Sequence, residues 1–230
     1  MYGSTYNPLN SPGIDVPFDQ PKSLFRFGEI SIWSSYMFTN GTNPSSSVNR
    51  LFSVARGSTG QGFTNALSIA ETSLKEAGRV PSGVAYDVYG IACQVERCTA
   101  AGDTAVGSPI DADAPIQDLL NIQANGVLSW DFTQTNIEIC PVSLAGAGGG
   151  AFGSVAASTG TGTAGDLQAG HMNNGNGQVW MYRKHPVALP GNTTFAINLA
   201  FGSRAAAFGD NNIVVRVVLL GYYKNIIEIG

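Results

Sequence analysis

The chain of 230 residues contains two histidines, His171 and His185, and nucleophilic catalysis would depend on one of them. A serine or cysteine nucleophile needs an adjacent base, and histidine is the usual one. His171 lies in a glycine-rich stretch, His185 directly precedes Pro186, and no Gly-x-Ser-x-Gly motif occurs. The pattern therefore predicts surface histidines and a protein that is not an enzyme.

The segment Gly148-Gly-Gly-Ala-Phe-Gly153 has the spacing of a dinucleotide-binding loop. That motif places the pyrophosphate at the N-terminus of a helix that follows at once. Here the next residues are Ser154-Val-Ala-Ala-Ser-Thr-Gly-Thr-Gly-Thr163, which predict no helix. We therefore interpret the segment as a low-complexity loop and expect no cofactor.

Three aspartates, Asp103, Asp111 and Asp113, form an acidic stretch that is a candidate Ca²⁺ site. Calcium prefers six or more oxygen ligands, and carboxylates supply them. The alternative is a solvated loop in which Asp113 caps a following helix. Both interpretations stay open, and no other metal site is predicted.

The three cysteines, Cys93, Cys98 and Cys140, form no zinc-ligand spacing and no even-numbered disulfide framework. We expect free buried thiols. A bridge between Cys93 and Cys98 across a hairpin is the alternative.

Three other residues are candidates for contacts between subunits. Arg216 interrupts the otherwise apolar run 213–220, and a charge in such a strand needs a polar partner. That partner belongs either to the same chain or to a neighbouring subunit. Trp33 and Trp180 are candidate anchors of the core or of an interface.

The elements that carry these residues are mainly strands, and the two at the C-terminal end are the clearest. Large apolar residues alternate with small or polar ones over 194–201, which places Phe195, Ile197 and Leu199 on one face. The β-branched run 213–220 is typical of a strand buried on both faces.

We predict about eight strands in all, near 24–33, 63–74, 84–95, 127–132, 137–144, 187–189, 194–201 and 213–223. The first changes apolar phase at Gly28, where a bulge is expected. The stretch 39–62 is a predicted connection, and 63–77 also fits a short helix. Apolar residues from Ile116 to Ile122 predict a helix that ends before Gly126.

The chain divides into an extended, proline-rich N-terminal arm, residues 1–23, and one domain, residues 24–230. Residues 145–178 consist almost entirely of Gly, Ala, Ser, Thr and Asn and form a loop excursion from that domain. The expected fold is all-β: a single eight-stranded jelly-roll β-sandwich with a short helical insertion and long Gly-rich loops.

Charged residues make up 12% of the chain, about half the roughly 25% of typical soluble domains. A charge-poor surface is favoured where neighbouring copies cover it. The formal net charge of −4 predicts no strong nucleic-acid binding. With no signal-peptide pattern and no long apolar run, we expect synthesis in a cytoplasm.

Several short segments, in order along the chain, resemble jelly-roll coat proteins of tailless icosahedral bacteriophages of the adenovirus-like lineage. They are Glu71-Thr-Ser-Leu-Lys-Glu-Ala-Gly-Arg-Val-Pro81, Val88-Tyr-Gly-Ile91, Asn125-Gly-Val-Leu128, Pro141-Val-Ser-Leu-Ala-Gly-Ala-Gly-Gly-Gly150, Pro190-Gly-Asn-Thr-Thr-Phe195 and Val215-Arg-Val-Val-Leu-Leu-Gly-Tyr222. The similarity spans residues 63–225. Many members carry two jelly rolls per chain, whereas this chain has room for one.

The resemblance implies a capsid subunit that self-assembles into an icosahedral virion shell, with no catalytic residues and no cofactor. Its partners would be copies of itself in trimer-like or hexamer-like capsomers, together with other virion proteins. A lipid membrane beneath the shell, as in relatives, is compatible with the acidic balance. The rival interpretation is a virion spike or lectin-like β-sandwich that binds a host receptor.

Overall fold

The computed structural model describes residues 23–39, 41–44, 49–98, 117–132, 135–148, 157–158, 167–168, 179–182, 185–202 and 212–228. Its strands are β1 Ser23–Phe38, β2 Asn49–Leu51, β3 Val84–Cys98, β4 Gly126–Phe132, β5 Thr135–Pro141, β6 Ala157–Ser158, β7 Leu167–Gln168, β8 Trp180–Met181, β9 Val187–Leu189, β10 Phe195–Phe201 and β11 Asn212–Glu228. One helix, α1 Gln117–Asn125, precedes β4, and a 3₁₀ segment, Val142–Gly148, follows β5.

Two antiparallel sheets form the fold. The first sheet has the order β1-β11-β3-β8, and β9 also pairs with β3. The second sheet has the order β2-β10-β4-β5, while β6 and β7 pair only with each other. The predicted all-β class and two-sheet sandwich are therefore confirmed. The arm 1–23, except for Ser23, and most of the excursion 145–178 lie outside the described residues.

The core lies between the two sheets because each strand turns alternate side chains inward. β11 contributes Ile213, Val215, Val217 and Leu219, and β10 contributes Phe195, Ile197 and Leu199. The predicted alternation of β10 is confirmed. On β11 the other face is less buried than expected: Val214 is buried, but Arg216, Val218 and Leu220 are only partly covered.

Trp130 is the largest fully buried side chain and joins the two sheets. Its ring stacks on Phe132 with a centroid distance of 5.5 Å. Its Nε1 donates a 2.8 Å hydrogen bond to the hydroxyl of Tyr182, directly after β8. Because β4 belongs to the second sheet and β8 to the first, this bond crosses the sandwich and satisfies a buried donor.

The segment 52–80 covers the open edge of β1. Met37 N donates to Gln61 O over 2.9 Å, and Ser73 N donates to Trp33 O over 2.9 Å. An isolated bridge joins Ser34 to Thr72. An uncovered edge strand would present unpaired backbone groups to other chains, so this segment protects the edge of the first sheet along residues 33–37 of β1.

Three local predictions are wrong. Residues 63–77 form turns, bends and isolated bridges, neither a helix nor a ladder strand, because they are held against β1 by single contacts. The connection 39–62 contains the three-residue strand β2. Pairing of β1 with β11 runs through Gly28 without a register shift. A Cβ at Gly28 would lie 2.6 Å from the Tyr223 ring, which explains the glycine without a bulge.

The alternative Cys93–Cys98 bridge is also wrong. Both residues lie on β3, five positions apart on one extended strand. Their Cα atoms are therefore about 17 Å apart, whereas a disulfide requires less than about 7 Å. Cys93 and Cys140 are free and buried, as expected.

Candidate functional site

The outer face of the first sheet, turned away from the core, brings two of the predicted contact residues together. Cross-strand pairing aligns Trp33 with Val218, and the next row aligns Ser35 with Arg216. On the other side of β11, Arg216 is paired with Gln94. Directly paired residues share a face, so Trp33 and Arg216 lie in adjacent rows of one surface.

Arg216 finds its partners within the chain, but they are neutral. Its Nε donates to Ser35 Oγ over 3.3 Å, and its Nη1 donates to Gln94 Oε1 over 3.4 Å. Gln94 Nε2 in turn donates to Glu96 Oε1. Two long bonds to uncharged oxygens leave guanidinium donors available, since the group has five. The intrachain partner expected for Arg216 is present, and an intersubunit contact stays a prediction.

Trp33 is partly buried and fixed from one side. Its Nε1 donates to Ile69 O over 2.9 Å, and its backbone N donates to Ser73 Oγ over 2.9 Å. Ile69 itself is 57% exposed. The indole is therefore oriented by the edge segment 52–80, which leaves part of an apolar surface open beside it.

Trp180 lies on the opposite face. It pairs with Ile91 and packs against the core, whereas its neighbour Met181 pairs with Gly90 on the outer face and is 46% exposed. A Cβ at Gly90 would meet Met181 Sδ at 3.1 Å, so the glycine makes room for the thioether. The structure thus brings Trp33 and Arg216 together and separates Trp180 from them.

Between Trp33 and Met181 the outer face consists of apolar side chains. Val218 and Leu220 are partly buried between Trp33 and Met181, and Ala92 is almost fully covered. Arg216 places a positive charge beside these apolar side chains. In the next row of the same face, where Glu96 pairs with Val214, Glu96 Oε2 is buried without a hydrogen-bond partner among the described residues. The surface is therefore an apolar strip bordered by polar side chains that do not use all their hydrogen-bonding groups within the described residues.

Two tyrosines contact each other near the other end of this face. The rings of Tyr89 and Tyr222 contact each other with centroids 5.2 Å apart. Burial raises the pKa of the Tyr89 hydroxyl above its ordinary value, and the negative charge of Glu29 and the neighbouring Tyr222 raise it further. The Tyr89 phenol is therefore a neutral hydrogen-bonding group near neutral pH.

A concave surface lies on the second sheet. A depression of about 520 Å³ is lined by Val127, Ser129, Asn136, Glu138, Ala200, Phe201 and Gly202. Its lining combines residues of β4 and β10 with polar residues of the neighbouring edge strand β5. No sequence pattern predicted this surface, because it depends on strands that are distant in the chain.

The residues considered for catalysis or metal binding form no centre within the described part of the chain. His185 is exposed beside Pro186, and the described residues contain no group of three or more His, Cys, Asp or Glu side chains that could hold a metal. His171, Asp103, Asp111 and Asp113 lie outside the described residues, so the calcium prediction stays open. No described helix is long and apolar enough to cross a membrane.

The buried thiols are unreactive by environment. Burial, with a smaller contribution from Cys140, raises the pKa of Cys93 to about 12. Burial raises the pKa of Cys140 to about 11. Because the thiolate is the nucleophile and metal ligand, both groups behave as small apolar core residues.

One buried ion pair was not predicted. Lys224 on β11 and Asp87 on β3 have 1% and 5% of their side chains exposed. The only signal in the sequence is a single charge within or beside each predicted strand, which does not reveal that the two meet.

Comparison of the chain with protein-family models, with curated proteins and with solved structures gives no match.

Proposed function

We propose that the chain is a non-enzymatic coat subunit that assembles with copies of itself into an icosahedral virion shell. The observation that carries this proposal is the outer face of the first sheet, where Trp33, Leu220 and Met181 form an apolar strip beside Arg216. Interface cores are depleted in most charged residues and enriched in Trp, Met and Arg. The composition of this face therefore suits contact with a neighbouring subunit.

The strand order supports a jelly-roll form of the sandwich. Among the strands in the described part of the chain, eight have three or more residues: β1, β2, β3, β4, β5, β9, β10 and β11. Numbered along the chain, they follow the order 1-8-3-6 in the first sheet and 2-7-4-5 in the second. In a jelly roll the first strand pairs with the eighth and the second with the seventh, as in this order. Viral capsid proteins share this architecture with lectins and cupins.

In such an assembly, the rigid sandwich would be the building unit, and the fit between neighbouring copies would determine the shell. The partners are copies of the chain in trimer-like or hexamer-like capsomers, with other virion proteins in the same shell. The net charge of −4 does not favour the genome as a direct partner. A specific interface of this kind buries roughly 1,200–2,000 Å² in total.

The test is assembly of the purified chain, followed by sedimentation velocity and electron microscopy. We expect capsomers or closed shells from the unchanged chain and loss of both in Leu220→Lys, which places a charge in the apolar strip. Ala200→Lys is the matched control, because it adds the same charge to an exposed position of the second sheet. A chain that stays monodisperse and monomeric under assembly conditions would contradict the proposal.

The depression on the second sheet favours a second candidate, a receptor-binding module of spike or lectin type. Ser129, Asn136 and Glu138 offer hydrogen-bonding groups beside the apolar Phe201, a combination suited to a polar ligand with one apolar face. For this candidate the variants reverse their roles. Ala200→Lys would abolish binding on a glycan array, and Leu220→Lys would leave it unchanged.

A further inference from the structure

Lys224 and Asp87 meet on the first sheet at a diagonal position. β11 pairs Tyr222 with Asp87 and Lys224 with Ala85, so the two charged residues are two positions apart across adjacent strands. Side chains in this diagonal relation can reach each other. The strands approach closely here, since a Cβ at Gly221 would lie 2.6 Å from Asp87 O.

The contact is close but is not a hydrogen bond. Lys224 Nζ lies 4.0 Å from Asp87 Oδ2, and the two side chains are 1% and 5% exposed. A charge-assisted hydrogen bond would be about 2.7–2.9 Å long. Nζ has no hydrogen-bond partner among the described residues. The Lys224 amine has therefore lost its hydration without gaining the hydrogen bonds that normally offset the loss.

The amine is also suited to act as a nucleophile. Burial lowers the pKa of Lys224 below its ordinary value, and the charge of Asp87 opposes that shift only in part. A desolvated lysine is an established type of activated nucleophile. Its target, the Asp87 carboxyl group, is held beside it by the ladder, which removes the entropy cost of a bimolecular encounter.

We propose that Lys224 and Asp87 form an intramolecular isopeptide bond that joins β11 to β3. A proton first passes from Nζ to the carboxylate, which gives a neutral amine and a carboxylic acid. Nζ then attacks Cγ, the N–C bond forms, and one C–O bond breaks. The departing oxygen leaves as water with two of the three ammonium hydrogens. No oxidant, reductant or metal is needed, and both charges disappear from the buried site.

The bond would close a covalent ring from residue 87 to residue 224 and tie β11 to its neighbour β3. This inference does not depend on the proposed shell function. It rests only on the pairing, burial and spacing of these two side chains.

Intact mass spectrometry of the purified full chain tests the inference. We expect the protein to be lighter than its sequence mass by one water molecule. After trypsin, a branched peptide should join residues 80–97 to residues 217–230, with no cleavage at Lys224. A folded chain with the full sequence mass would overturn the proposal.

Two variants identify the atoms involved. Lys224→Met should restore the full mass, whereas Lys75→Met, at an exposed position, should keep the loss of water. A cyclic imide at Asp87 would also remove one water but would persist in Lys224→Met, and that result would overturn the proposal. The unchanged chain carries the primary measurement, so the conclusion does not depend on the stability of any variant.

Discussion

Gln61 Nε2 donates a 2.8 Å hydrogen bond to Ser34 Oγ, which joins the covering segment 52–80 to the interior of β1. The same nitrogen also donates to the backbone oxygen of Ser35. Gln61 Oε1 accepts from the backbone nitrogens of Ser53 and Val54 over 3.0 and 3.1 Å. One buried amide thus satisfies groups on two segments, and it fixes the segment that protects the edge of the first sheet.

Gln61→Ala should lower the free energy of unfolding by about 2–4 kcal/mol, because it leaves several buried donors and acceptors unpaired. Urea denaturation measures the change. The matched control is Gln123→Ala on α1, where the amide makes no comparable set of bonds and we expect a change within about 0.5 kcal/mol. Equal effects of the two variants would show that the Gln61 bonds do not stabilise the fold.

Gly62→Ala should destabilise the chain much more than Gly57→Ala. Both glycines have positive φ angles, +82° and +84°, so both variants carry the conformational cost of about 1–2 kcal/mol for an L residue. At Gly62 a Cβ would also lie 1.8 Å from Met37 O, whereas nothing lies within 4 Å at Gly57. Thermal melts of the two variants compare the clash directly, and similar melting temperatures would contradict the close approach to Met37.

The bond between Trp130 and Tyr182 should show coupling in a double-mutant cycle. Tyr182→Phe leaves the buried Nε1 without an acceptor and should cost about 1–3 kcal/mol. In the Trp130→Phe background the same change should cost clearly less. Tyr223→Phe, which removes a hydroxyl on the same sheet, is the control.

A spectroscopic titration gives a second readout of this bond. Burial raises the pKa of Tyr182, and the hydrogen bond from Trp130 lowers it. Trp130→Phe should therefore move the Tyr182 ionisation to still higher pH. An unchanged or lower pKa would show that the bond is absent in solution.

The buried thiol of Cys93 should make stability fall in alkaline solution. Its pKa is about 12 in the folded chain and 9.0 ordinarily, so between these values the unfolded chain has released a proton that the folded chain keeps. The free energy of unfolding therefore falls as pH rises, by at most on the order of 1 kcal/mol per pH unit for this group. Urea denaturation at pH about 8 and about 10 measures the fall, which should be smaller in Cys93→Ala. An equal fall in both proteins would assign the effect to other groups.

Arg216→Met should separate assembly from folding. The two bonds of Arg216 are long and end on neutral oxygens of a partly exposed row, so we expect the unfolding free energy of the subunit to change by less than about 1 kcal/mol. Sedimentation should show weaker assembly if the remaining donors contact a neighbour. Arg56→Met, at an exposed arginine outside the sheet ladders, is the control. Unchanged assembly in Arg216→Met would limit the role of Arg216 to intrachain contacts.

The sequence by itself determined the elements whose signal is local. The alternation around Ile197 identified β10, the β-branched run around Val217 identified β11, and the apolar residues before Gly126 identified α1. In each case side chains within a few positions of each other report which face is buried. The two-sheet class followed from the number and spacing of these strands.

Only the tertiary structure decided which distant residues meet. Arg216 lies between Ser35 and Gln94, and Lys224 lies beside Asp87, because of strand order and register. Gln61 reaches Ser34 because the covering segment 52–80 folds back onto β1. A register shift of one residue would turn Arg216 or Lys224 to the opposite face of the sheet. Local patterns therefore predict strands well, but contacts between polar residues far apart in the chain follow from the sheet alignment.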